Sequence, residues 1–501
     1  MKLLTLVCIF FGLGVLASAP ARTHAFEGFD DFVEAIMAEW EVPGLAVAAV
    51  RDGEVVLSRT YGLRDAELGL PVTRRTLFAL GSVTKTFTAT GLAILAAEGR
   101  LGWDRPVRTY MPDFELMDRD AGRRITPRHL VSHSSGLPRH DVLWYAEAFD
   151  RRELFRRLRF LKPTKRLGTT FQYQNLMFMA AGMLAGRLGG TSWEEFTGRR
   201  LLDPLGMTAT RLSLAGFLLS PDIAMPYFPG DEGRVPIALR DTDEIGPASS
   251  VYANLEDMTR YLRFHVAAGR LGARRLLSAS AMAALGRVEI PFARPSQPRD
   301  FWTQGYGLGF YVESYRGHRM LRHGGAIDGY LGWFSLLPED RLGVVVLSNL
   351  SGGNPVPRLV TLNLYDRLLG LEPLPWAERR RQAEQARQTV PPEQPPEGPG
   401  SAPRFGRESY AGRYEHPAYG AIRIEVVEGG LRGRFNHIGF RLEHLDGETW
   451  RVPETAWPLR EGLEVTFLSN GAGAVDRLAT PIADGPTYRF NPGAMTFRRV
   501  P

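Results

Sequence analysis

Gly81-Ser82-Val83-Thr84-Lys85 opens an apolar run in which Phe87, Gly91, Ile94 and Leu95 stand at i, i+4, i+7 and i+8. That is the spacing of one buried helical face, so a buried helix begins near Ser82. Ser82 and Lys85 are three apart and share a face, separated by about 4.5 Å along the axis. An amine is thereby placed near a hydroxyl. The helix N-terminus offers free backbone N–H groups and a positive field that favours a developing oxyanion. Burial and the same field are expected to lower the Lys85 pKa and leave a neutral amine able to act as a base. The same residues also read as a serine N-cap followed by a surface lysine, and Ser-x-x-Lys alone is a weak signal. Composition strengthens it. Of 61 basic residues only Lys2, Lys85, Lys162 and Lys165 are lysines. A chain that uses arginine almost wherever a positive charge suffices keeps lysine for a task arginine cannot perform, and losing a proton is one.

Two more stretches carry chemistry. Tyr173-Gln174-Asn175 follows a strand-like Thr169 to Gln172 and precedes an apolar helix from Leu176. A phenol there can relay the serine proton, and a carboxamide can hold a substrate amide. A core aromatic with an N-cap asparagine is the other reading. His323-Gly324-Gly325 lies on a strand that follows Met320-Leu321-Arg322. Two glycines in a strand mark close backbone approach by a ligand, and the Ala326 N–H could pair with that of Ser82 as an oxyanion hole. Taken alone, His323 reads equally as a core or turn histidine.

In order and spacing, the three stretches resemble the serine β-lactamase and penicillin-binding-protein superfamily, closest to class C β-lactamases and the related D-aminopeptidases, carboxypeptidases and esterases. Leu130 to Leu137, Asp203 to Thr208, Pro247 to Asn254 and Tyr306 to Gly309 look like that group too, so the resemblance runs from about residue 30 to 370. It implies an α+β fold: an antiparallel sheet flanked by helices, beside a helical lobe, with the site in the groove between. It implies that Ser82 forms an acyl-enzyme, that Lys85 and Tyr173 take its proton, and that Asn175 orients the acyl group. Gly324, Gly325 and Ala326 line the substrate, and Tyr173 or His323 assists deacylation. It requires no metal and no cofactor. One departure matters. The third motif of β-lactamases begins with lysine, a fixed charge that holds the substrate carboxylate, whereas this chain has His323. An unperturbed histidine is mostly neutral at pH 7. That favours peptidase, amidase or esterase work, with D-amino-acid-containing substrates included, over β-lactam hydrolysis.

Outward from these motifs, Phe32, Ile36 and Trp40 fall at helical spacing. Gly44 to Val50 and Val55 to Tyr61 read as strands around an Asp52-Gly53 turn, and Met320 to Arg322, Leu331 to Leu337 and Gly343 to Leu347 as three more. A sheet built from both ends of residues 26–375 is expected. Residues 376–404 form a connecting stretch, charged over Glu378 to Arg387 and rich in Pro, Gly and Glu over Pro391 to Pro403. From 405 to 501, alternation such as Ile422, Ile424 and Val426 predicts a small all-β barrel or sandwich. Tyr410-Ala411-Gly412-Arg413-Tyr414, Tyr419-Gly420 and Leu442 to Leu445 resemble the lipocalin-like domain appended to many such hydrolases. In relatives that domain takes part in assembly or covers the active-site entrance. Its aromatics read as barrel core, and His437 and His444 have no third partner at metal-ligand spacing.

Lys2, the apolar run Leu3 to Leu16 and the small-residue sites ending at Ala19 and Ala25 read as a signal peptide, 1–25, with an uncleaved anchor as the alternative. The single cysteine, Cys8, lies inside it, so the exported chain, periplasmic or secreted, carries no disulfide. Net charge is +6, but acidic and basic residues alternate along the chain, which argues against a nucleic-acid partner. The partners expected are a small-molecule or short-peptide substrate, no stable membrane span after leader cleavage, and a homo-oligomer left open. Two rival readings stand beside a hydrolase of amides, peptides or esters. One is a β-lactamase or DD-carboxypeptidase. The other is a non-catalytic penicillin-binding sensor or interaction protein.

Overall fold

The computed structural model describes residues 24–145, 148–293, 300–388, 401–453, 462–481 and 495–500. Residues 1–23, most of the expected leader 1–25, and residues 389–400 of the connecting stretch lie outside the described residues. The expected N-terminal hairpin is formed by Gly44–Arg51 and Glu54–Asp65. Asp52 (φ 54°) and Gly53 (φ 84°) take the left-handed pair of conformations that a two-residue hairpin turn requires. On its other side Gly44–Arg51 pairs antiparallel with Leu342–Ser348, which is followed in space by Tyr330–Leu337 and His318–Ile327. The two ends of the segment thus meet in one nine-stranded sheet.

Helices cover both faces of this sheet, which is why its central strands are continuous apolar runs instead of alternating ones. Leu45, Val47 and Ala49 pack with Phe29, Val33, Ile36 and Met37 of the helix Phe29–Glu39 and with Leu359 and Tyr365 of Val356–Leu369. Phe32 and Trp40 of the expected stripe are only partly covered. Ala46, Ala48 and Val50 face the other way, into one large core with Phe87, Leu176, Tyr261 and Leu262 of the helical lobe.

Thr169 to Gln172 is not a strand, a correction to the sequence reading. Thr169 N–H closes a turn on Arg166 O (3.2 Å), and Gln172 N–H goes to His133 O (2.8 Å) as the preceding Gly168 N–H goes to Ser134 O (2.7 Å), so no ladder forms. The Asn175 N-cap reading is corrected as well. Gln174 caps the helix Asn175–Gly189, its side chain accepting from Leu176 N–H.

Trp376–Gln388 is a helix that docks on the hydrolase core. Trp376 Nε1 donates to Asp366 (3.0 Å) and Arg381 pairs with Glu39 (2.8 Å). The C-terminal region is a closed eight-stranded barrel filled by Tyr410, Tyr414, Ile422, Ile424, Phe435, Phe467 and Phe497. Among the described residues no helix is long and apolar enough to cross a membrane.

Candidate active site

Gly81–Val83 forms a short 3₁₀ turn that runs straight into the helix Thr84–Ala97. This rotates Ser82 to the start of the helix with Lys85 one turn on. Lys85 is fully buried. Its Nζ lies 3.0 Å from Ser82 Oγ and donates to the Ala248 carbonyl at 3.0 Å. The rings of Tyr173 and Phe178 stand 4.9 and 5.5 Å away. Burial holds the Lys85 pKa well below the usual lysine range, and the Arg139 charge pushes it further down, partly offset by Asp141. The expected depression is present. Its second cause is a neighbouring guanidinium.

The strand His318–Ile327 lies with its backbone against the Ser82 turn. A Cβ on Gly325 would sit 1.8 Å from Leu80 O and 2.9 Å from Val83 N, and one on Gly81 would meet the Ala326 backbone at 3.0 Å. Both glycines are required by this contact. It brings Ala326 beside Ser82. Gly325→Ala is expected to force the strand off the turn and, because a displacement of about 1 Å at a reacting centre costs about 10²-fold, to lower kcat/KM by that order. Steady-state kinetics on folded variant, checked by circular dichroism, measures it.

Tyr173 sits at the centre of the site, half-buried. His133 stacks on one side of its ring (4.1 Å), and the Arg139 guanidinium stands 4.7 Å from the ring centre. His133 is fully buried with φ 59°, and its Nδ1 accepts the Gln174 N–H at 3.0 Å. Burial holds its pKa well below the usual histidine range, so the ring is neutral. It is a fixed floor under Tyr173.

His323 reaches the site wall, but its imidazole is buried. Nδ1 donates to Gly324 O (2.7 Å), so in the neutral ring Nε2 accepts from the Tyr306 hydroxyl (2.9 Å). Its ring centre is 6.3 Å from that of Tyr173. Asn175 is buried as well. Its Nδ2 donates to Asp141 Oδ1 (2.9 Å), while Oδ1 is buried and makes no hydrogen bond among the described residues.

Three residues absent from the sequence reading complete the wall. Asp141 binds Arg139 through Oδ2 (2.5 Å), and its Oδ1 accepts from both Asn175 and Trp144 Nε1 (2.9 Å each). Between Arg139 and Asp141 lies His140, buried at φ 53°, whose Nδ1 is hydrogen-bonded to the Tyr419 hydroxyl of the barrel at 2.5 Å. Burial pushes the His140 pKa down to about 3, so the ring is neutral at ordinary pH. Arg157 reinforces the junction by donating to the Pro417 and Ala418 carbonyls. The barrel is thus fastened to the segment that carries Arg139 and Asp141. Tyr419 is itself buried, its ring near Phe497 of the barrel (6.3 Å) while its hydroxyl reaches His140. Tyr419→Phe strands a buried imidazole nitrogen and is expected to cost about 1–3 kcal/mol, read as a lowered Tm in thermal unfolding. Among the described residues no group of three or more His, Cys, Asp or Glu is placed to hold a metal.

Comparison with known proteins places this geometry. The Beta-lactamase family profile matches residues 29–369, and a domain of unknown function, DUF3471, matches 398–495. An unguisins hydrolase of Aspergillus campestris is 28% identical over 428 residues, covering 79% of this chain and 77% of that protein. Penicillin-binding protein 4 of Amycolatopsis lactamdurans is 28% identical over 360 residues, covering 70% of this chain and 90% of its own. The octameric penicillin-binding protein homologue from Pyrococcus abyssi superposes with a TM-score of 0.62 at 23% identity, over 94% of this chain and 99% of that one. The chain belongs to the Beta-lactamase family and is a hydrolase of the superfamily that includes the penicillin-binding proteins.

Proposed function

We propose that this protein is an exported serine hydrolase that works through an acyl-enzyme on an amide, peptide or ester. The observation that carries the reading is the buried Lys85 amine, 3.0 Å from Ser82 Oγ and anchored on the Ala248 carbonyl. A neutral amine there keeps one hydrogen on Ala248 O and turns its lone pair to the serine hydroxyl. Ser82 Oγ attacks the substrate carbonyl carbon as its proton passes to Lys85. The oxyanion forms beside the Ser82 and Ala326 N–H groups. Collapse breaks the bond to the amine or alcohol, which leaves with a proton delivered by Lys85 through Tyr173. Water then attacks the acyl-enzyme with the same groups as base. His323 acts in this scheme as a positioning residue that holds Tyr306, and Asn175, bound through Nδ2 to Asp141, ties the helix Asn175–Gly189 to the wall that carries Arg139.

The test is intact mass after incubation of the purified protein with a fluorophosphonate, wild type beside Ser82→Ala. One adduct on wild type and none on the variant is expected. Folded wild type without an adduct would overturn the reading and favour the binding or sensor alternative. D-aminoacyl amides, short-chain esters and a chromogenic cephalosporin then sort the substrate classes.

A further inference from the structure

The outer face of the barrel carries a concentration of charge that the hydrolase does not use. Gly412–His416, Gly420–Val427, Gly430–Phe435 and Ile438–Asp446 are consecutive antiparallel strands. Their inward residues fill the barrel, and their outward residues include five arginines alongside Glu415, Glu425 and Glu443, with Glu425 directly opposite Arg432. Arg413 stands directly opposite Arg423, Arg423 opposite Arg434, and Arg432 opposite Arg441. All five are exposed and border a cavity of about 990 Å³, with Glu425 the acidic residue in its lining.

Like charges directly opposite on neighbouring strands destabilise a sheet. Some arginines elsewhere are held by carboxylates, as Arg322 is by Glu313 and Arg381 by Glu39. Here Arg413 reaches Glu415. Among the described residues no ion pair or hydrogen bond engages the side chains of Arg423, Arg432, Arg434 or Arg441. Four guanidinium groups without a side-chain partner among the described residues therefore border one concavity. Guanidinium is the side chain whose planar fork of donors matches phosphate oxygens two at a time.

We infer that this cavity is a binding site for a small molecule carrying two or more phosphate groups. Among the described residues, four arginines besides the Glu415-paired Arg413 stand against Glu425, a local excess that one monoanion would not balance, and the volume admits a ligand larger than the phosphates themselves. Asn436 lines the cavity and also holds the Tyr419 carbonyl (3.2 Å), so an occupant lies next to the strand end that docks on the hydrolase. The site is independent of the Ser82 chemistry.

Isothermal titration of the full chain with inorganic tripolyphosphate tests this, beside the double variant Arg423→Gln/Arg434→Gln and a control, Arg123→Gln, on an exposed helix far along the chain. Saturable one-to-one binding is expected in wild type and control, weakened at least tenfold in the double variant and by added salt. The altered arginines are exposed, and circular dichroism with thermal unfolding confirms that the variants fold. Absence of saturable binding, or equal affinity in all three proteins, would overturn the proposal. So would a third outcome, in which anionic phospholipid vesicles bind in an arginine-dependent way while tripolyphosphate does not, because the face would then read a membrane surface.

Discussion

Lys85→Arg is expected to slow fluorophosphonate labelling and substrate turnover by about 10²–10⁴-fold, the range that a positioned general base contributes. Arginine is longer by one atom and carries a fixed positive charge, releasing no proton at any accessible pH. The pH profile separates this from simple misplacement. In wild type the rate should rise with pH through the lowered Lys85 pKa, because only the neutral amine accepts the Ser82 proton. In Lys85→Arg that ascending limb should vanish.

Stability gives a second readout. The folded-state pKa of Lys85 lies below the unfolded value of about 10.4, so between the two the unfolded chain binds a proton that the folded chain lacks. Wild type therefore loses stability as pH falls from about 10 toward the folded value. Lys85→Met removes the buried ionisable group, so it should lack this slope and melt above Lys85→Arg, which buries a permanent charge. A labelling rate in Lys85→Arg close to wild type would remove Lys85 from the mechanism.

How much of this was legible in the sequence follows from how local each interaction is. Ser82 and Lys85 could be read together because three residues on a helix are one turn, and the structure keeps them 3.0 Å apart. The apolar strands at both chain ends could be read from their runs of Val, Leu and Ala. Thr169 to Gln172 could not, because its composition suits a strand and only the loop at His133 and Ser134, more than thirty residues away, shows that its donors are taken singly. The alternation in the last hundred residues fits a sandwich as well as a barrel. Closure depends on the pairing of Arg413 with Val500 and of Tyr414 with Arg499, which no local pattern contains. Asp141 follows the familiar-looking Leu130 to Leu137 by only four residues. Its importance lies in Asn175, Trp144 and Arg139 converging on one carboxylate, and a lone aspartate in a loop gives no sign of that.

That carboxylate is the second place where a single change should have a large effect. Arg139 and Asp141 form a largely buried ion pair, with side chains 15% and 6% exposed, and they act on Lys85 with opposite sign: the guanidinium lowers its pKa and the carboxylate raises it. Asp141→Asn leaves the Arg139 charge uncompensated. Lys85 should then lose its proton more readily, and the ascending limb of the pH–rate profile should move to lower pH. Arg139→Gln removes the guanidinium and should move the same limb to higher pH. Breaking one side of a buried pair costs about 3–5 kcal/mol, so each single variant should unfold at a clearly lower temperature. The double variant should recover part of that stability and bring the limb back between the two. This pattern distinguishes electrostatic control of Lys85 from a purely structural role for the loop. A structural role predicts lowered rates in both single variants with the limb unmoved. Two limbs displaced in the same direction would equally refute the assignment, because the two charges have opposite signs and surround the same amine.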